Sequence, residues 1–327
     1  MGMLVKGIWQ DIAYDTKSGE FVRNDSVFRD WVTGDGASGF RAEAGRYHLY
    51  VSLACPWAHR TLILRTLKGL QDAITVSIVD PYMGPAGWSF TGHRGCTSDS
   101  VNGAALLRDV YLKAKSDYTG RVTVPVLWDK KTATILNNES AEIVRMLNSE
   151  FNAFALRELN DLYPAALRAQ IERWNGIIYR TVNNGVYRAG FATAQDKYEA
   201  AVRELFATLD RLDEHLGEHR YLCASVPTEA DWRLFTTLVR FDAVYYGHFK
   251  CNLRRLVDYR NLWAYTRELY QVPGVAGTVD LEQIKEHYYR SHPRINPNGV
   301  VPVGPTLDFA APHGRECLGS EHAGETG

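Results

Sequence analysis

The chain has 327 residues, 45% of them hydrophobic, and a formal net charge of -1. That length and apolar content support a sizeable core and favour two domains, while the near-neutral charge excludes a global attraction to nucleic acid or to an anionic membrane surface. No apolar run approaches the ~18 residues of a spanning helix. The N-terminal "MGMLVKGIWQDIAYD" turns acidic before a signal peptide's apolar region develops, and it carries Lys6 where a myristoylation signal needs Ser or Thr. The expectation is a cytoplasmic protein without membrane or nucleic-acid partners.

Residues 1–45 are assigned to an N-terminal extension. Within it "GDGASGF", from Gly34 to Gly39, matches G-x-G-x-x-G. The dinucleotide fingerprint demands a preceding strand and a following helix, and here a strand pattern follows, so the segment reads as a flexible turn. Next, "RYHLYVSLA" alternates, with Leu49, Val51 and Leu53 on one face and His48, Tyr50 and Ser52 on the other. Trp57 to Lys68 has apolar residues at helical spacing and stops at Gly69-Leu70, the arrangement of a left-handed C-cap with its apolar contact. "AITVSIVD" reads as a second strand, followed by a Gly- and Pro-rich loop from Pro81 to Ser100 whose length suggests function. "NGAALLRDVYLKA" reads as a helix, "VTVPVLWD" and "TATIL" as two strands joined at a Lys-Lys turn, and "NESAEIVRMLNSEF" as a closing helix. The result is a βαβ unit plus a ββα unit, assigned to residues 46–152.

From about Leu156 the strand signal vanishes. "AAVRELFATLDRLDEHL" spaces Val202, Leu205, Leu209, Leu212 and Leu216 by threes and fours, with Thr193 and Asp196 before it as a capping box. A second box, Thr228 with Asp231, opens "EADWRLFTTLVRFDAVYY", and "NLWAYTRELYQ" ends before Pro273-Gly274. Residues 153–290 are therefore assigned to an all-helical domain and residues 291–327 to an extended tail.

Five cysteines, Cys55, Cys96, Cys223, Cys251 and Cys317, form neither a disulfide framework nor a zinc spacing. His59 lies one turn from Cys55, but a single i,i+4 pair makes no metal site, and none is expected. Four of the cysteines read as structural or inert. Cys55 differs: it falls where a strand becomes a helix, with Pro56 preset for the first helical position, so free N–H groups and the positive end of the helix dipole point at sulfur. Helix N-termini lower a thiol's pKa by one to several units from ~8.5 and raise the reactive thiolate fraction. With no cysteine three residues on, Cys55 forms its mixed disulfide with an outside thiol, which implies a small-thiol cosubstrate.

Two further elements suit that chemistry. Val124-Pro125 between strand-like runs implies either an edge strand or a cis peptide, and in the cis form Val124 offers its N–H and C=O to an extended peptide ligand. At the helix start "NNESAEI", the N–H groups and the Ser140 hydroxyl suit a carboxylate while Glu139 suits an ammonium group. An amino-acid end carries both groups on one carbon.

Together, "SLACPWAHR", "GWSF", "RVTVPVLWD", "NNESAEI", "NGVYRAGFAT", "TEADWRLFTTLVRFDAVYYGHFKC" and "HYYRSHPRINP" resemble the glutathionyl-hydroquinone reductases, the Xi class of glutathione transferases, over nearly the whole chain. The resemblance implies the glutathione transferase architecture, an α/β thioredoxin-like domain followed by an all-α domain. It makes glutathione the thiol cosubstrate, with no tightly bound cofactor, and Cys55 the nucleophile. It places Trp88, the run Arg121, Val122, Thr123 and Val124, and the pair Glu139 and Ser140 on glutathione. Tyr187, Tyr245 and Tyr288 resemble the tyrosines lining the quinol pocket; adjacent Tyr246 and Tyr289 leave a one-residue alternative at the last two. The implied reaction reduces an aromatic glutathione adduct to the hydroquinone with release of glutathione disulfide, with Tyr187 supplying or relaying a proton. A homodimer is also implied. Two other readings stay open: a broader cysteine-type transferase acting on glutathione disulfides or dehydroascorbate, and a non-catalytic glutathione- or ligand-binding protein.

Overall fold

The computed structural model describes residues 2–12, 19–157 and 160–318. They form two compact units, one of residues 2–12, 23–157, 160 and 278–301, the other of residues 19–22, 161–277 and 302–318.

The first unit opens with a small hairpin, β1 (Met3–Val5) and β2 (Ile8–Gln10). Its two-residue turn is Lys6-Gly7, both at positive φ, the conformation that matches strand twist in a tight hairpin. The main sheet follows from β3 (Tyr47–Val51), β4 (Ile74–Ile78), β5 (Val126–Asp129) and β6 (Thr134–Asn137), in the order β4-β3-β5-β6. β3 pairs parallel with β4 and antiparallel with β5, and β5 antiparallel with β6. The crossover from β3 to β4 runs through α1 (Pro56–Leu67), β4 leads to α2 (Leu107–Ala114), and α3 (Ser140–Ser149) closes the unit by packing on α1. This is the βαβ-plus-ββα thioredoxin-like order, and Leu49, Val51, Ile63, Leu64, Val126, Ile143 and Leu147 are fully buried in its core.

The alternation of β3 does not leave a wet face. His48, Tyr50 and Ser52 are buried as completely as their apolar neighbours. Buried polar groups need partners, and the sheet and its loop supply them: the His48 ring nitrogens meet Thr75 Oγ1 at 2.6 Å and Ser77 Oγ at 2.9 Å, and the Tyr50 hydroxyl donates to Asp99 at 2.9 Å. Asp99 also takes the N–H groups of Val101, Asn102 and Ala104. That claim on the backbone turns the chain there, so α2 begins at Leu107 rather than at Asn102 as the sequence pattern predicts. The end of α1 is as expected: Gly69 has φ +65, and Leu70 N donates to Arg65 O at 2.9 Å.

The second unit contains α4 (Arg168–Ile178), α5 (Gly185–Gly190), α6 (Gln195–Glu218), α7 (Glu229–Leu238) and α8 (Arg260–Tyr270), with π-helical turns at Tyr179–Asn183 and Phe241–Tyr245. α6 packs on α5 and α8, and α4 on α7. The Thr228–Asp231 box forms, with Asp231 Oδ2 accepting from Thr228 N at 2.7 Å and from its hydroxyl at 2.8 Å. The expected Thr193–Asp196 box does not: Ala194 is the N-cap of α6, and Thr193 N donates to Gly19 O instead. Residues 302–318 carry no helix or strand. They are nonetheless fastened to their unit, where Phe309 meets Trp263 and Tyr270, and Arg315 donates to Leu216 O, His219 O, Arg220 O and the Glu268 carboxylate. Arg315 thereby satisfies carbonyls at the C-terminal end of α6 that the helix itself leaves unpaired.

One helix divides the chain differently from the sequence boundaries. α9 (Leu281–Ser291) belongs to the first unit, whereas the sequence pattern groups residues 153–290 together as one helical stretch. Among the described residues, no helix is long and apolar enough to cross a membrane, and no group of three or more His, Cys, Asp or Glu is placed to hold a metal.

Candidate active site

In the first unit, Cys55 is the N-cap residue of α1, with extended backbone (φ -80, ψ 121) and Pro56 in the first turn. Its carbonyl accepts from His59 N at 3.0 Å, as an N-cap should, while Sγ lies 3.6 Å from Val124 O. The thiol therefore stands at the positive end of a twelve-residue helix, beside the loop before β5. Position 58, where a disulfide-forming partner would stand, is Ala58. His59 is turned elsewhere, its Nε2 2.8 Å from Thr278 Oγ1.

The Val124–Pro125 peptide is cis. Tyr111, fully buried, braces the segment before it: its hydroxyl donates to Thr123 O at 2.8 Å, and Thr123 N points back to it at 3.3 Å. The N–H of Val124 makes no hydrogen bond among the described residues, because β5 pairing begins only at Val126. Val122 and Val124 are buried. Arg121 Nη1 donates to the carbonyls of Gly2, at 3.2 Å, and of Ile12.

Tyr111 also ties this loop to α3, since Asn138 Nδ2 donates to its hydroxyl at 3.2 Å. Glu139 is the N-cap of α3, one position earlier than a cap at Ser140 would be. Its carboxylate accepts from Ala141 N at 3.0 Å and from Ser26 Oγ at 3.1 Å. Ser140 is buried, and its Oγ accepts from Arg60 of α1 at 3.5 Å. Thus Cys55, Val124, Glu139 and Ser140 meet through Arg60 and Tyr111 around two helix N-termini. Trp88 lies on the loop between β4 and α2, buried, with its ring stacked on His287 of α9 at 4.9 Å. Tyr288 follows His287 and is buried in the same unit; Tyr289 is partly exposed.

In the second unit, Tyr187 of α5 is the centre of an aromatic group. Its ring lies 5.4 Å from Phe249, 6.1 Å from Tyr245, 6.2 Å from Phe191 and 6.2 Å from Phe21. Tyr245, buried, ends the second π-helical turn; Tyr246 is partly exposed. The structure thus brings Tyr187 and Tyr245 together in the second unit, and Cys55, Val124, Glu139 and Ser140 together in the first, the unit that also holds Trp88, Arg121 and Tyr288.

Comparison with known proteins decides the family. The family described as "Glutathione S-transferase, N-terminal domain" matches residues 54–150, and "Glutathione S-transferase, C-terminal domain" matches residues 195–268. The chain is 54% identical over 325 residues to glutathionyl-hydroquinone reductase YqjG of Escherichia coli (strain K12), covering 97% of this chain and 99% of the relative. It is 54% identical over 307 residues to glutathionyl-hydroquinone reductase PcpF of Sphingobium chlorophenolicum, covering 93% and 96%. The chain belongs to the glutathionyl-hydroquinone reductases, the Xi class of glutathione transferases. Solved structures agree: an Xi class transferase from Natrialba magadii superposes with TM-score 0.92 at 52% identity, covering 97% of each chain. The glutathione-bound structure of YqjG from Escherichia coli K-12 superposes with TM-score 0.90 at 51% identity, covering 97% of this chain and 99% of that one.

Within this Xi-class chain, sequence reasoning missed several residues that build the site. Trp57 is flanked by two guanidinium groups, Arg60 at 4.5 Å and Arg23 at 4.8 Å from its ring. Arg60 was legible as the residue one turn after Trp57 in "CPWAHR"; Arg23 and Ser26 reach the site only by tertiary folding. His287 and Phe249 had no local signal beyond aromatic content. The remaining cysteines are consistent with inert roles where burial speaks: it pushes the Cys96 and Cys223 thiols up to about 11 and Cys251 higher still. Cys317 is exposed.

Proposed function

We propose that this protein reduces glutathionyl-hydroquinones to hydroquinones with glutathione, releasing glutathione disulfide through a mixed disulfide on Cys55. The observation that carries the reading is the thiol at the N-cap of α1 with no second cysteine in the following turn. A serine or tyrosine there would activate glutathione for conjugation, but only a thiol forms the disulfide intermediate.

The Cys55 thiolate attacks the sulfur that joins glutathione to the ring. The sulfur–carbon bond breaks, its electron pair stays on the ring carbon, and that carbon takes a proton from the Tyr187 hydroxyl, which solvent restores. The ring is reduced by two electrons as the two sulfurs become a disulfide. A second glutathione thiolate then attacks the mixed disulfide, leaves as glutathione disulfide and regenerates Cys55. Trp88, Arg121 to Val124, Glu139 and Ser140 hold glutathione: Val124 pairs with the peptide backbone, and the α3 N-terminus with Glu139 receives its amino-acid end. By the resemblance, Tyr245 and Tyr288 are assigned to the aromatic substrate; each is buried within its own unit. Free glutathione is the only cosubstrate, so the reading places the protein in the reduced thiol pool of the cytoplasm, as a homodimer that light scattering would register.

The test follows free hydroquinone when the pure protein meets glutathionyl-hydroquinone and excess glutathione, beside a Cys55→Ser variant. Release that depends on Cys55 is expected. Turnover confined to simple glutathione disulfides would favour the broader transferase, and binding without turnover of either substrate would leave a carrier.

A further inference from the structure

α9 is fastened along its length to the loop that carries Trp88. Gln283 Nε2 donates to Arg94 O at 2.7 Å, Met83 N donates to Ser291 Oγ at 2.9 Å, and the Arg290 guanidinium lies 4.9 Å over the Tyr82 ring. Midway between them His287 Nδ1 meets Pro81 O at 2.8 Å. A carbonyl only accepts, so that bond places a proton on Nδ1 and sets the plane of the imidazole.

In that plane the imidazole stacks on the Trp88 indole, with centroids 4.9 Å apart and 19° between the rings. Both rings are buried, Trp88 at 6% and His287 at 8% exposure. The backbone of the loop is secured on either side, by Leu107 N to Trp88 O at 3.0 Å and Asp80 N to Ser89 O at 2.8 Å. The indole N–H, by contrast, has no hydrogen-bond partner among the described residues. The protein therefore fixes the face of the ring and leaves its one polar atom for an acceptor from outside. On the same helix, the ring of Tyr288 stands edge-on to His287 at 5.3 Å.

We infer that His287 is a positioning residue for glutathione: Pro81 O orients its imidazole, and the imidazole face holds the Trp88 indole so that its N–H meets the tripeptide. The inference rests on the glutathione reading given above and adds to it a residue that does not itself touch the tripeptide. A core residue acting through stability alone would change the amount of active protein; a positioning residue changes the glutathione affinity of every folded molecule.

The test measures glutathione KM, kcat and melting temperature for the full chain and for His287→Ala and His287→Phe. Losing both the stacked face and its anchor in His287→Ala raises the glutathione KM about tenfold, with kcat at saturating glutathione within about twofold. His287→Phe restores a ring face without the Pro81 bond, so its KM falls between the two. A melting temperature that drops in His287→Ala while glutathione KM stays at the wild-type value overturns the inference and leaves the reductase reading intact. Absence of glutathione-dependent turnover in the wild type overturns both. If His287→Ala does not fold, His287→Phe decides alone, since wild-type KM in that variant contradicts the anchoring role of Pro81 O.

Discussion

Gly190 ends α5 at the point where the ring of Phe249 lies against the backbone. A Cβ added at Gly190 falls 2.2 Å from Cγ and Cδ1 of Phe249, where ordinary contact begins at 3.4 Å, so Gly190→Ala forces the ring back by about 1 Å. There is little room for that. Phe249 is fully buried, and its ring is already 5.4 Å from Tyr187, 5.2 Å from Phe191 and 5.7 Å from Tyr245. Two terms compete: alanine improves helix propensity by about 1 kcal/mol, whereas overpacking a rigid core costs typically ~1–3 kcal/mol. The second wins here, because the obstructing atoms belong to a ring that cannot swing aside as a long flexible side chain would. Net destabilisation of about 1–2 kcal/mol is expected, read as a lower urea midpoint at unchanged m. The displaced ring also presses on Tyr187 and Tyr245, so KM for glutathionyl-hydroquinone rises while turnover of an aliphatic glutathione disulfide does not. A variant as stable as the wild type, or more stable, would refute the reasoning by showing that the aromatic group yields freely.

Burial lowers the His48 pKa from 6.5 to about 4, so the folded protein resists a proton that the unfolded chain accepts. Stability from this group is intact above about pH 6.5 and is lost as pH falls toward 4, by ~2 kcal/mol at pH 5; urea midpoints at pH 7 and 5 differ less in His48→Gln by that amount, and equal pH dependence contradicts the assignment. Arg46→Ala removes the buried guanidinium that donates to Asp129 at 2.8 and 2.6 Å and costs about 3–5 kcal/mol at pH 7. Burial works to raise the Asp129 carboxyl, but Arg46, Thr132 and Lys131 outweigh it and hold it below the ordinary range. The pair therefore stabilises above the unfolded carboxyl pKa and loses that contribution as pH falls through the folded one, so the variant's penalty shrinks in acid; a pH-independent penalty would count against the pair. Tyr187→Phe lowers kcat for hydroquinone release by about 100-fold or more and leaves glutathione disulfide exchange unchanged; a parallel fall in both would deny the phenol its proton-transfer role.

Features set by neighbours in sequence were legible. Gly69-Leu70 and the Thr228–Asp231 pair act within one turn of chain, and both ends form as read. Features set by remote partners were not. The Thr193–Asp196 pattern is equally good locally, yet Thr193 N is taken by Gly19 O, far away in sequence. Asp99 unwinds the expected start of α2 because its carboxylate gathers three N–H groups while anchored by Tyr50. Alternation separates the two faces of β3 but does not say what covers the polar one, which takes its partners from β4 and the loop after it. The same division runs through the site: Cys55, Val124 and Glu139 announce themselves by position at strand and helix ends, whereas Arg23, Ser26 and His287 arrive from other parts of the chain.

The central claim is a covalent glutathione on Cys55, and a single-turnover experiment tests it directly. Protein is mixed with an equimolar amount of glutathionyl-hydroquinone in the absence of free glutathione, then quenched and weighed intact by mass spectrometry. The account predicts one hydroquinone released per chain and one glutathionyl group on Cys55, removed by later addition of glutathione and absent from Cys55→Ser. Hydroquinone release without that adduct, or release undiminished in Cys55→Ser, would contradict it.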